Sequence, residues 1–139
     1  MSYLLDTCVI SEVVARHPAQ SVLDWMAITD ETHLFLSAIT IGEIKRGVGR
    51  LPDSERRRTL EQWLEGQLLA RFRGRILPLD EAVMLTWGRL MVELERRARA
   101  LPTMDSLIAA AAMHHGLQLV TRNEKDFAGS GIEVINPWR

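Results

Sequence analysis

Cysteine is nearly missing: Cys8 is the only one in 139 residues. A single thiol excludes an internal disulfide framework and any zinc site built from several cysteines. It fits a reducing compartment, and we expect a cytoplasmic protein. Aromatic residues are sparse, with one Tyr and three Phe beside four Trp. Net charge is only −1, so the chain as a whole is no strongly basic nucleic-acid binder, and any phosphate-binding surface must be local. The N-terminus runs from Met1 straight into Tyr3-Leu4-Leu5-Asp6, without the basic start and apolar core of a signal peptide. No apolar run is long enough, or free enough of charge, to span a bilayer. Repeats, low-complexity tracts and linkers are also absent. What remains is an ordinary globular composition, 47% hydrophobic and 25% charged, which predicts one domain over residues 1–139.

Strand and helix signals alternate. Tyr3-Leu4-Leu5 reads as a short buried strand, followed by a helix over 7–15. Pro18 suits the first turn of a second helix, with Val22, Leu23, Trp25 and Met26 on its apolar face. A strand is predicted over 33–37, then a helix in which Ile41, Ile44 and Val48 share a side. A long amphipathic helix is expected over 54–72 and an extended segment over 75–79. Asp80 is placed to cap the next helix. Pro102-Thr103 opens a helix that is apolar all round, as a buried helix is, and Gly116 ends it. Strands over 117–121 and 132–135 complete the chain. This alternation predicts an α/β fold, a mostly parallel sheet covered on both faces.

The acids fall at one end of that sheet. Asp6 follows the first strand. Glu43 is expected in the first turn of the helix after the second strand, and Asp105 in the first turn of the apolar helix. Asn123, Glu124 and Asp126 follow the 117–121 strand. Loops at the carboxyl ends of parallel strands share one crevice. Carboxylates gathered there repel one another unless protons or cations neutralise them. An all-oxygen set favours a hard cation, magnesium or manganese, over zinc. Such an ion can activate water and stabilise the leaving oxygen of a phosphodiester.

Each acid, taken singly, has an ordinary structural account. Thr40 and Glu43 have the spacing of a capping box. Asp105 suits the positive end of a helix dipole. Asp6 can cap its own helix, and Asp126 can be a turn residue. Their convergence is what points to a site. Arg46 and Arg50 follow Glu43 on the same helix and are candidates for phosphate contacts. The basic runs Arg56-Arg57-Arg58 and Arg96-Arg97-Arg99 are interleaved with Glu and read as solvated helix faces. Trp25, Trp63 and Trp87 sit on apolar faces and read as core or interface residues. Cys8 lacks a His partner for thiol catalysis, and adjacent His114 and His115 point about 100° apart on a helix, a poor metal pair.

Four segments in order carry a family resemblance: Leu4-Leu5-Asp6-Thr7-Cys8-Val9-Ile10-Ser11-Glu12, Ser37 through Gly47, Asp105 through Ala112, and Thr121-Arg122-Asn123-Glu124-Lys125-Asp126-Phe127. Together they resemble the PIN domains, and Gly74-Arg75-Ile76-Leu77-Pro78 and Ile135-Asn136-Pro137-Trp138 resemble in particular the FitB-like branch of VapC-type toxins. The resemblance implies a three-layer α/β/α PIN-like fold and a metal-dependent endoribonuclease. It implies Asp6, Glu43 and Asp105 as catalytic and metal-binding acids. Some relatives carry an aspartate directly after the Thr-Arg pair, where this chain has Asn123; Asp126 is the alternative. Asn123, Asp126, Thr7 and Thr121 are therefore expected in supporting roles, and Arg46 and Arg50 against RNA. Magnesium is the implied cofactor, with manganese as substitute. The implied partners are a small VapB/FitA-like antitoxin, RNA, operator DNA through the antitoxin only, and a second copy of the chain.

Two rival readings remain. An aspartyl phosphotransferase also places an Asp after its first strand, but its second Asp two residues on is here Cys8. A catalytically weak PIN-like module would act only through its protein partner; the three acids argue against it.

Overall fold

Residues 1–139 are described by a computed structural model. The elements in chain order are β1 (Tyr3–Leu5), α1 (Thr7–Val13), α2 (Gln20–Ile28), a 3-10 turn (Glu31–His33), β2 (Leu34–Ser37), α3 (Ala38–Gly49) and α4 (Glu55–Gln62). There follow a π-helical segment (Trp63–Leu68), α5 (Leu69–Arg71), β3 (Ile76–Leu77), α6 (Glu81–Arg96), α7 (Thr103–His115), β4 (Gln118–Val120), α8 (Glu124–Phe127) and β5 (Val134–Ile135). All four strand pairings are parallel, in the order β3-β2-β1-β4-β5.

Period-two alternation divides the core. Leu4 and Leu119 face α6 and α7, packing with Val83, Leu90, Ile108 and Ala109. Leu5 and Val120 face the other way, packing with Val9, Val22, Ile44, Leu64 and Phe72. Three layers result, α/β/α, as the sequence predicts.

Several boundaries differ from expectation. Helix α1 stops at Val13, two residues early. Helix α2 starts at Gln20, capped at Ala19, so Pro18 lies outside it. The predicted helix over 54–72 is continuous in direction but widens to π geometry at Trp63–Leu68, with Leu64 and Leu68 both buried. Asp80 caps α6 through a bond accepted from the Val83 N–H, at 3.0 Å. Gly116 ends α7 with φ +64°, in the left-handed region where glycine carries no Cβ penalty.

Candidate active site

Strand order reverses direction about β1, whose neighbours are β2 and β4. A crevice forms outside the carboxyl ends of strands at such a point. Asp6 lies there directly after β1, and Thr121 directly after β4. Asp6 is 3% exposed and fixed at both oxygens. The Thr7 N–H donates to Oδ1 at 2.8 Å, which makes Asp6 the N-cap of α1. The Thr121 hydroxyl donates to Oδ2 at 2.7 Å. Its own oxygen accepts the Asn123 N–H at 3.1 Å. Burial raises the Asp6 carboxyl above its ordinary range, against the lowering effect of these bonds.

Glu43 reaches the crevice from α3. It does not stand in the first turn, as the sequence led us to expect. Ser37, at the extended end of β2, is the N-cap, and its Oγ accepts the Ile39 N–H at 3.1 Å. The helix therefore begins before Thr40, and Glu43 falls in its second turn. The capping-box account of Thr40 and Glu43 is thereby removed. Instead the Thr7 hydroxyl donates to Glu43 Oε1 at 2.5 Å, across from α1.

Asp105 does lie in the first turn of α7. Its carboxyl is pushed up to about 6, by burial first and then by the charges of Asp6, Glu43 and Asp126, with no hydrogen bond to offset them. Asp126 lies on α8, exposed on its outer side, and its charge reaches Asp105. Asn123 starts α8 and enters through its backbone N–H, not its amide.

No salt bridge of the chain involves Asp6, Glu43, Asp105 or Asp126; the ion pairs lie elsewhere, for example Arg57 with Glu61 and Arg97 with Glu93. No three of these acids stand close enough together in this structure to hold a metal ion by themselves. An all-oxygen donor set with uncompensated negative charge fits a hard divalent cation. Beside Glu43 a cavity of about 480 Å³ is lined by Arg46, Arg50, Leu79, Met104 and Leu107 among others.

Cys8 Sγ lies 3.7 Å from Asp6 Oδ2 and 3.6 Å from Thr121 Oγ1. Burial and the Asp6 charge push its thiol up, so a thiolate nucleophile is disfavoured. His114 and His115 are exposed at the far end of α7. Trp87 is structural: its indole N–H donates to buried Ser106 at 2.9 Å. Sequence reasoning missed two features. Thr40 bonds Thr7 at 3.0 Å. Glu12 accepts the Ala19 N–H and the Trp138 indole N–H, tying the C-terminus to α1. Only the three-residue spacing from Thr40 to Glu43 hinted at the first.

A parallel sheet with an acid-lined crevice at its switch point defines a class that comparison with known proteins specifies. The PIN domain family matches residues 3–129. The VapC ribonuclease Y4jK of Sinorhizobium fredii is 36% identical over 135 residues, 97% of this chain and 96% of that one. Toxin FitB of Neisseria gonorrhoeae is 35% identical over 135 residues, 97% of each chain. The structure of FitAB bound to the IR36 DNA fragment aligns with a TM-score of 0.94 at 33% identity, covering 99% of this chain and 96% of that one. The chain belongs to the PIN-domain family, whose ribonucleases are typically metal-dependent. Within that family it is a VapC-type ribonuclease toxin of the toxin–antitoxin kind.

Proposed function

We propose that this chain hydrolyses RNA phosphodiester bonds at Asp6, Glu43 and Asp105, which hold magnesium, with manganese as a substitute. The observation that carries the reading is that Thr7, just after β1, bonds both Asp6 Oδ1 and Glu43 Oε1, so that acids from two elements face one crevice and neither has a cationic partner; the raised Asp105 carboxyl agrees with it. A magnesium ion held there by Asp6, Glu43 and Asp105 would supply positive charge to the phosphate and lower the pKa of a water. Thr7 and Thr121 orient the carboxylates: Thr121 fixes Asp6 Oδ2, and Thr7 fixes Asp6 Oδ1 through its N–H and Glu43 Oε1 through its hydroxyl. Asp126 adds negative charge beside Asp105, and Asn123 holds the Thr121 hydroxyl in its donating direction. Arg46 and Arg50 line the cavity beside Glu43, where RNA phosphates approaching the acids meet two cations. Cleavage of an unstructured RNA in magnesium, and its loss in excess EDTA, tests the reading; cleavage undiminished by EDTA contradicts it.

The partner is a small antitoxin resembling FitA or VapB, and operator DNA is reached through it alone. The FitAB–DNA relative supports this assignment. A homodimer is also proposed. Helix α6 leaves Met84, Leu85 and Val92 exposed, apolar surface that a second copy can cover. Sedimentation at micromolar concentration reads this directly, and a monomer contradicts it.

A further inference from the structure

The Thr40 side chain is fully buried, in the first turn of α3, and it is polar. A threonine inside a helix ordinarily donates to a carbonyl of its own preceding turn. Thr40 does not. Its hydroxyl partner is Thr7 Oγ1, 3.0 Å away on a different helix. Thr7 Oγ1 in turn stands 2.5 Å from Glu43 Oε1.

Proton bookkeeping orders this chain of three. A hydroxyl has one proton to give. A carboxylate can only accept, so the Thr7 proton lies toward Glu43. The Thr7 oxygen must then accept, and Thr40 is the donor. The bonds run in one direction, Thr40 to Thr7 to Glu43, and each donor polarises the next. Without the Thr40 hydroxyl, Thr7 keeps only its bond to Glu43 and loses the second one that restrains its rotamer.

We propose that Thr40 is a positioning residue for Glu43, acting through Thr7 to hold Oε1 and so set how the carboxylate faces the crevice. The inference rests on the reading of Glu43 as a metal-holding acid. The three-residue spacing between Thr40 and Glu43 acquires a purpose other than capping: both side chains, one turn apart on α3, meet the same Thr7 hydroxyl at the start of α1.

The test is a double-mutant cycle on the full chain, read by Mn2+ affinity in the absence of RNA and by thermal melting. Thr40→Val keeps the shape and removes the hydroxyl. It should weaken Mn2+ binding by about 10-fold, within the 10–100-fold span typical of residues that orient metal ligands. Thr40→Ser should recover most of that loss. In a Thr7→Val background, Thr40→Val should change Mn2+ affinity by less than about 2-fold, since the connecting hydroxyl is gone. A packing role would instead lower the melting temperature equally in both backgrounds and leave the affinity of the folded protein unchanged. If Thr40→Val does not fold, Thr40→Ala read against Thr40→Ser isolates the same hydroxyl. Unchanged affinity on hydroxyl removal, or an equal loss with and without Thr7, overturns the proposal. Glu43→Gln separates the two levels: if it binds Mn2+ like the wild type, the reading of Glu43 fails; if it loses binding while Thr40→Val does not, only the positioning role fails.

Discussion

The Thr121 hydroxyl donates to Asp6 Oδ2 over 2.7 Å, a buried bond between residues 115 positions apart in the chain. It joins the carboxyl ends of β1 and β4, which also pair through the Asp6 N–H to the Val120 carbonyl at 2.9 Å. The bond stabilises the fold and aims a carboxylate at once; Asp105, also raised, has no such bond to offset its burial.

Asp6→Ala should destabilise the protein by about 1–3 kcal/mol, because it strips the α1 cap and leaves the buried Thr121 hydroxyl without its acceptor. Asp105→Asn should stabilise the metal-free protein by up to about 1 kcal/mol, or roughly 4 °C in melting temperature, allowing for its partial exposure. The sign follows from a raised carboxyl: the penalty is full above about pH 6 and gone below the ordinary value of 3.8. Thermal melts in EDTA at pH 7.5 and pH 3.5 (about, by choice of buffer) check both. A lower melting temperature for Asp105→Asn at the higher pH contradicts the crowding of charges there.

Asp126 adds charge to the crevice from the exposed side of α8. Asp126→Asn should lower cleavage by about 10–100-fold, while Asn123→Ala, which keeps the backbone N–H to Thr121, should cost less. Steady-state cleavage rates decide this. A loss for Asp126→Asn as deep as that for Asp6→Asn would make Asp126 a direct ligand.

Away from the site, the Arg71 guanidinium grips Glu31 at both oxygens, 2.6 and 3.0 Å, and Arg75 donates to the Glu31 and Leu34 carbonyls at 2.6 Å. The Arg71 hydrogen bonds, with the charges of Arg71 and Arg75, hold the Glu31 carboxyl below its ordinary range. Its stabilisation is therefore present above pH 4.5 and lost as pH falls through the lower folded value. The carboxylate is partly exposed, so the contribution is below about 1 kcal/mol. Urea midpoints of Glu31→Gln and the wild type should differ at about pH 6, and differ less at an acidic pH below 4.5. An equal gap at both pH values contradicts the ion-pair account.

Much of this was legible in residues 1–139. Leu4 against Leu5 already encodes a strand covered on two faces; Asp6 follows β1 and Asp105 lies in the first turn of α7 as expected, while Thr121, expected inside its strand, falls just after β4. Sheet order was not legible, since every pairing is parallel and no turn signal specifies neighbours. Glu43 was misplaced within α3 because Ser37 and Thr40 are both capping residues by type. Only the backbone at the end of β2 decides that Ser37 caps. That left Thr40 free to bond across to Thr7, a contact between residues 33 apart that no local pattern announces. Asn123 and Asp126 were not separable in the sequence, because the bond that Asn123 makes to Thr121 comes from its backbone N–H and carries no residue-type signal.

The antitoxin should compete with the metal. Four acids without a cationic partner attract an arginine side chain as readily as an ion, and its planar fork can meet two carboxylate oxygens. Mn2+ affinity should fall when the antitoxin is bound. Equal affinity in the complex and in the free toxin means that the partner blocks RNA elsewhere.

The central claim is that Asp6, Glu43 and Asp105 form one metal-dependent ribonuclease site. The most direct measurement is cleavage of a single-stranded RNA in magnesium by the wild type, Asp6→Asn, Glu43→Gln and Asp105→Asn, each first shown to melt cooperatively. The wild type should cleave, and none of the three folded variants should. Wild-type rates from the three variants would contradict it.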